Sequence, residues 1–291
     1  MRRAYKPEDQ PLFVGGTGRS GTTIVGTLIG HSEHYKLIPI EVRFHVDQGG
    51  LSDLLDGRVD VDEFIASMMT RWYSRPADRH GRPRGLHVLT ERKEFDAALN
   101  RLRRDFERDP RDSANRLIRD LLDPVAQRAN KPSWVEMSPP VARAMDSLAR
   151  VLPNALFVHM IRDGRDVAAS VVRRKWGPGD LPSAIQWWAD ELISIARAES
   201  QVDPDRMLRL RIESLVGPRR GDALARLCEF LGIVPSADMR AFFDERVTSS
   251  KAHLGRWRHN LEDAEIAQVN KHYEIALARL AESGVFLPSV D

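Results

Sequence analysis

Hydrophobic positions along this chain switch repeatedly between short dense runs that suit buried strands and three-and-four spacings that suit helices. The sharpest switch lies within 11–30. Leu12, Phe13 and Val14 form a dense apolar run, glycines follow at 15, 16, 18 and 21, and Ile24, Val25, Leu28 and Ile29 then recur at helical spacing. A strand is predicted to feed a helix through a glycine-rich turn. The pattern returns over 156–176, where a central strand over 156–160, a turn at Asp163-Gly164 and a helix from Arg165 are predicted, with Val167, Val171 and Val172 facing inward. Shorter strands are predicted at 36–40, 132–139 and 207–212, and helices over 60–73, 95–106, 113–129, 181–200, 221–231 and 236–245. Strands alternating with helices predict an α/β fold with a central parallel sheet flanked by helices.

The turn at 15–23 has the chemistry of a phosphate-binding loop. Backbone N–H groups left unpaired at a helix start, together with the helix dipole, favour an anion there. Gly16-x-x-x-x-Gly21 has the spacing of a nucleoside triphosphatase loop, but Thr22 stands where that loop has its lysine. The positive charge is instead at Arg19, and Thr22 and Thr23 offer hydroxyls, which suits a phosphate ester without a triphosphate tail. Glu41 and Arg43 follow the second predicted strand and should face the same crevice as Arg19, because ligands in doubly wound sheets sit beyond the carboxyl ends of strands. A carboxylate there can take the proton of a hydroxyl nucleophile, so Glu41 is a candidate general base, with His31, His34 and His45 as rivals. Arg162 and Ser170 are spaced to converge on a second anion.

Gly18-Arg19-Ser20-Gly21-Thr22-Thr23 resembles the 5′-phosphosulfate loop of sulfotransferases that use 3′-phosphoadenylyl sulfate (PAPS), and Arg162 with Ser170 resembles that family's 3′-phosphate motif. Glu41-Val42-Arg43 is similar to the Glu-x-Arg of tyrosylprotein sulfotransferases, where the glutamate is the base. Over 248–260, Lys251, Gly255, Arg256 and Trp257 resemble the loop that covers the nucleotide, and Glu213 resembles the acid of a structural Arg-x-Glu-x-Leu segment. The resemblance implies a P-loop-like three-layer domain spanning 1–291, with helical insertions over about 50–130 that build the acceptor pocket. It implies PAPS held by Thr17, Gly18, Arg19, Ser20, Gly21, Thr22, Thr23, Arg162, Ser170 and the 248–260 loop, Arg43 and His45 near the acceptor, and no metal. Met137 departs from the pattern, standing where many relatives carry a lysine near the transferred group.

Bulk properties narrow the picture further. The 291 residues are 42% hydrophobic and 30% charged, enough for one large core. Net charge is only +2 despite 44 Lys and Arg, so anions would be met by local patches and nucleic acid is not implied. The single cysteine, Cys228, lies in a helical pattern, reads as a small buried residue, and suits a reducing compartment. With no run of 18 apolar residues, a transmembrane segment is not expected and a cytoplasmic location is. Segment 75–93, carrying Arg75, Arg79, Arg82 and Arg84 among prolines and glycines, reads as a long solvated connection or a substrate lid. The expected reaction is sulfuryl transfer to a hydroxyl of a small molecule, glycan, lipid or tyrosine, by a chain that could form a homo-oligomer. A small-molecule kinase and a non-catalytic nucleotide sensor are the alternatives.

Overall fold

Alternation within two strands sets the two sides of the core. In β1 (Leu12–Gly16), Leu12 and Val14 face one side and Phe13 the other; in β4 (Leu156–Ile161), Leu156, Val158 and Met160 share the first side and Phe157 the second. Strands buried on both faces need apolar side chains in both directions, which is why these runs are dense. The computed structural model describes residues 10–77, 81, 84–259 and 261–289. The expected Arg79, Arg82 and the end of the 248–260 loop at Asn260 lie outside the described residues.

Three further strands, β2 (Tyr35–Leu37), β3 (Ser133–Glu136) and β5 (Met207–Arg211), complete an all-parallel sheet in the order β2-β3-β1-β4-β5. Leu12 pairs with Val135 on one side of β1, and Val14 with Val158 on the other. The chain leaves β1 toward β2 and β3, then crosses to β4 and β5. That reversal opens a crevice beyond the carboxyl end of β1.

Helix α1 (Thr22–Gly30) follows β1 directly. Between β2 and β3 lie α2 (Leu51–Leu55), α3 (Val61–Ser67), α4 (Arg92–Asp105) and α5 (Pro110–Arg128). Helix α3 opens with a reciprocal Asp60–Glu63 capping box and passes into a π turn at Met68–Tyr73, so the single helix expected over 60–73 changes its winding midway. Asp109 caps α5 by accepting from the N–H of Asp112, with Pro110 at the first turn, which moves the helix start upstream of the expected 113. The apolar faces of α2–α5 join Phe13 and Phe157 in one cluster, so the 50–130 segment covers a whole side of the sheet. Phe13 stacks on Phe157 at 5.6 Å and meets Trp134 edge-on at 5.3 Å, while the Trp134 indole N–H donates to Asp123 of α5 at 2.8 Å.

After β3 a 3₁₀ turn (Pro139–Ala144) leads into α6 (Met145–Val151), and after β4 come α7 (Gly164–Val171) and α8 (Leu181–Glu199). Helices α9 (Ile212–Val216), α10 (Arg220–Leu231), α11 (Ala237–Arg246), α12 (Ser249–Ala252) and α13 (Asp263–Glu282) end the chain. Helices α1, α10 and α11 cover the Leu12 side, with Cys228 buried among them. A third cluster joins α7, α8 and α13 around Trp188 and Trp257. Among the described residues no helix is long and apolar enough to cross a membrane.

Candidate active site

The crevice beyond β1 holds a cavity of about 790 Å³, and the glycine loop is its floor. Two close approaches explain the loop's spelling. A Cβ on Gly16 would sit 2.4 Å from the carbonyl oxygen of Met160, and Gly21 takes φ 101° at the start of α1, a conformation open to glycine at little cost. Ser20 closes the turn beneath, its hydroxyl donating to the Thr17 carbonyl at 2.7 Å. Both side chains are buried and neither lines the cavity, so the hydroxyls of Thr17 and Ser20, expected at the nucleotide, face into the protein. Gly18, Arg19, Gly21, Thr22 and Thr23 do line it.

Arg19 is the exposed tip of this loop. It adopts φ 72°, and its Nε donates to Ser170 Oγ of α7 at 2.8 Å, joining the two motifs that lie 151 residues apart. Burial holds its pKa below the ordinary arginine value, the neighbouring guanidiniums of Arg174 and Arg162 add to this, and Glu41 opposes it. Arg162, at the end of β4, donates to the carbonyls of Ala252 at 2.8 Å and His253 at 3.0 Å, and its buried Nε has no partner among the described residues. Seven cationic side chains, Arg19, Arg43, Arg143, Arg162, Arg174, Arg246 and Lys251, line the cavity against the two carboxylates of Glu41 and Glu191.

Glu41 is half exposed in the cavity wall and accepts from Arg43 at 3.3 Å. Arg43 also holds Asp47 at 2.8 Å; burial works against its charge, but Asp47 and Glu41 together raise its pKa above the ordinary value. The backbone carrying Glu41 is anchored from below. Glu136, fully buried at the end of β3, accepts from the Val42 N–H at 3.1 Å, the Ser138 N–H at 3.0 Å and the Ser138 hydroxyl. This carboxylate fixes two cavity loops at once, and a lone buried glutamate in a strand gave no signal of it in the sequence.

Several expected site residues lie elsewhere. His45 is fully buried with Nε2 3.7 Å from Glu136, so it reaches neither acceptor nor cavity. Its ring packs edge-on against Phe13 and Phe44, which is why it turns inward. His31 pairs with Asp238 and stacks on Phe242, and neither it nor His34 lines the cavity, which leaves Glu41 without those rivals. Met137 packs against Gly26 of α1, away from the cavity; Arg143, one turn beyond Pro139-Pro140, brings a cation to that wall and pairs with Glu191 at 3.0 Å.

The C-terminal loop divides. Lys251 lines the cavity, but the Gly255 and Trp257 N–H groups donate to Asp166 of α7 at 2.9 and 3.3 Å. Trp257 is buried with Arg165 lying 4.7 Å over its ring, and Arg256 is exposed on another surface. Gly255, Arg256 and Trp257 therefore dock the loop and do not line the cavity. Glu213 accepts from the Asp163 N–H at 2.7 Å and from Arg211, the structural part expected of it. Trp188 is buried in the core, whereas its neighbour Trp187 meets Trp176 at 6.0 Å over Gly18 at the cavity rim. Arg143, Trp187, Glu191 and Arg246 belong to no recognised motif, Arg174 and Trp176 end the 156–176 stretch with no role read for them there, and only the folded chain gathers the six.

Comparison with known proteins agrees with this architecture. Two solved structures share the fold: the "Sulfotransferase Domain from the Curacin Biosynthetic Pathway" (TM-score 0.51, 18% identity, 96% of this chain and 99% of that one) and the "Sulfotransferase Domain from the Synechococcus PCC 7002 Olefin Synthase" (TM-score 0.52, 17% identity, 99% of each chain). No curated protein matches the chain. A family model described as "Sulfotransferase family" matches residues 11–238 of the 291. With the glycine loop and the Arg19–Ser170 junction both inside that span, the chain belongs to the sulfotransferase family.

Proposed function

We propose that the protein transfers a sulfuryl group from PAPS to a hydroxyl acceptor, with Glu41 as general base. The observation that carries this reading is the convergence of Arg19, Arg162 and the loop start of α1 on one cavity, with Arg19 held beside two other guanidiniums. Cations crowded in this way repel one another until an anion separates them. The buried Nε of Arg162 and the Arg246 guanidinium, both without a partner among the described residues, fit a second phosphate, so the residues present suit a nucleotide phosphorylated at both ends.

In this reading Gly18, Arg19, Thr22 and Thr23 hold the 5′ side, and Arg162, Ser170, Arg246 and Lys251 the 3′ side. The bound nucleotide supplies the sulfuryl group. Glu41 takes the acceptor's proton while Arg19 and the loop N–H groups stabilise negative charge on the departing phosphate, a task of positioning and fixed dipoles. Arg43 and Glu136 hold Glu41 in place. A phenolic acceptor, with an ordinary pKa near 10, asks less of a carboxylate base than an alkyl alcohol does.

The test is binding followed by turnover. Calorimetry should show adenosine 3′,5′-bisphosphate (PAP) binding without metal and more tightly than Mg·ATP; the reverse order would favour a kinase. With an acceptor that gains one sulfate by mass, Glu41→Gln should lower kcat by roughly 10²–10⁴ while PAP affinity stays within about twofold. Unchanged kcat would remove Glu41 from the role of base.

A further inference from the structure

Two cavity cations, Arg174 and Arg246, have no side-chain partner among the described residues, and the reading above gives Arg246 to the second phosphate. Arg43 is held by Glu41 and Asp47, Arg143 by Glu191, and Lys251 donates to the Glu245 carbonyl. The Arg174 guanidinium makes no hydrogen bond or ion pair with any described residue, yet it lines the cavity close enough to Arg19 to lower that group's pKa. It lies in the turn after α7, two residues before Trp176. Trp176 of that turn meets Trp187 of α8, and Arg174 lines the same cavity as Glu41 and Arg143.

Trp176 completes the setting. Its side of the rim is apolar and open: the residue is 61% exposed, its ring meets Trp187 edge-on, and a Cβ on Gly18 would touch it at 3.0 Å. A large indole left in water beside the reacting loop offers a stacking face to a ring. A guanidinium without a carboxylate, beside that face, offers a forked pair of donors to a planar anion.

Resting on the sulfotransferase reading, we propose that the acceptor is a small hydroxyaryl acid, its ring against Trp176 and Trp187, its carboxylate on Arg174 and its hydroxyl toward Glu41. Arg174 is the cavity cation that lies outside both phosphate groups of this reading and faces no carboxylate among the described residues.

The test uses full-length protein saturated with PAP and three probes: 4-hydroxyphenylacetate, its methyl ester, and N-acetyl-aspartyl-tyrosinamide. Binding is read by calorimetry and by quenching of tryptophan fluorescence. The free acid should bind about tenfold or more tighter than the ester. Arg174→Gln should bring that ratio close to one, and Arg174→Lys should keep only part of it, since charge is retained but the forked pair of donors is lost. Equal binding of acid and ester, a ratio that survives in Arg174→Gln, or no binding of either would overturn the inference. Tighter binding of the peptide would assign the carboxylate to a protein acceptor and overturn the small-molecule form. If PAP itself fails to bind, it is the sulfotransferase reading that falls, so the two failures are told apart at the first titration.

Discussion

Arg19 adopts a left-handed backbone that costs a side-chain-bearing residue about 1–2 kcal/mol. The fold retains it because this conformation aims the guanidinium across the loop, where Nε donates to Ser170 Oγ. Ser170 is thus a positioning residue for Arg19 as well as a candidate phosphate ligand. A hydrogen bond to a charged group contributes about 1.5–3 kcal/mol, and Arg19 is partly open to solvent, so Ser170→Ala should weaken PAP binding roughly tenfold in calorimetry. The conservative Ser170→Thr should recover part of that loss. No change in PAP affinity would mean that the Arg19–Ser170 bond leaves the nucleotide site indifferent. At this scale the sequence was most informative where chemistry is contiguous: Gly18 to Thr23 could be recognised because backbone and side chain act within six residues. It was least informative at His45 and Trp257, where residue type suggests chemistry and only burial decides against it.

Helix α7 shows how one element serves both core and site. Its buried face, Val167, Ala168 and Val171, packs on α8, while Asp166 reaches sideways to take the N–H groups of Gly255 and Trp257. Asp166 also lies 3.4 Å from Arg162, so one carboxylate ties the nucleotide-side arginine to the loop that carries Lys251. Asp166→Ala should free that loop: the Gly255 and Trp257 amides should exchange hydrogen at least about tenfold faster, with strand β4 amides unaffected. Equal exchange in both proteins would show that Trp257 packing alone holds the loop. The helix itself was readable from its inward valines and its start from the Asp163-Gly164 turn; the structure adds its cap, Asp163 accepting from the Arg165 N–H at 2.8 Å. The role of Asp166 was not, because its partners lie 89 and 91 residues away.

The whole molecule carries a pH dependence set by buried phenols. Burial, with a further push from Asp163, raises the Tyr273 pKa to about 12 despite Arg165 and Arg211, and burial also raises that of Tyr35. Each phenol is favoured in its neutral form by the fold. Their contribution to stability is therefore complete below the unfolded value near pH 10 and is lost as pH climbs toward the folded value. Urea unfolding should show the midpoint falling between about pH 10 and pH 12, with phenolate absorbance from these two residues appearing together with unfolding. Phenolate appearing while the protein stays folded would contradict the burial of both rings. The succession of strands and helices along the chain, the period of the helices and the glycine-loop motif were legible in the sequence itself, since each depends on neighbours within a few turns of chain. The tertiary structure alone decided which cations share the cavity, that Glu136 anchors the Glu41 loop, that Met137 turns away while Arg143 turns in, and that the Arg174 side chain has no partner among the described residues. The physical reason is the parallel sheet: its crossovers bring the ends of β1, β2, β3 and β4 to one crevice from positions far apart in sequence, and no local pattern records which side chains will meet there.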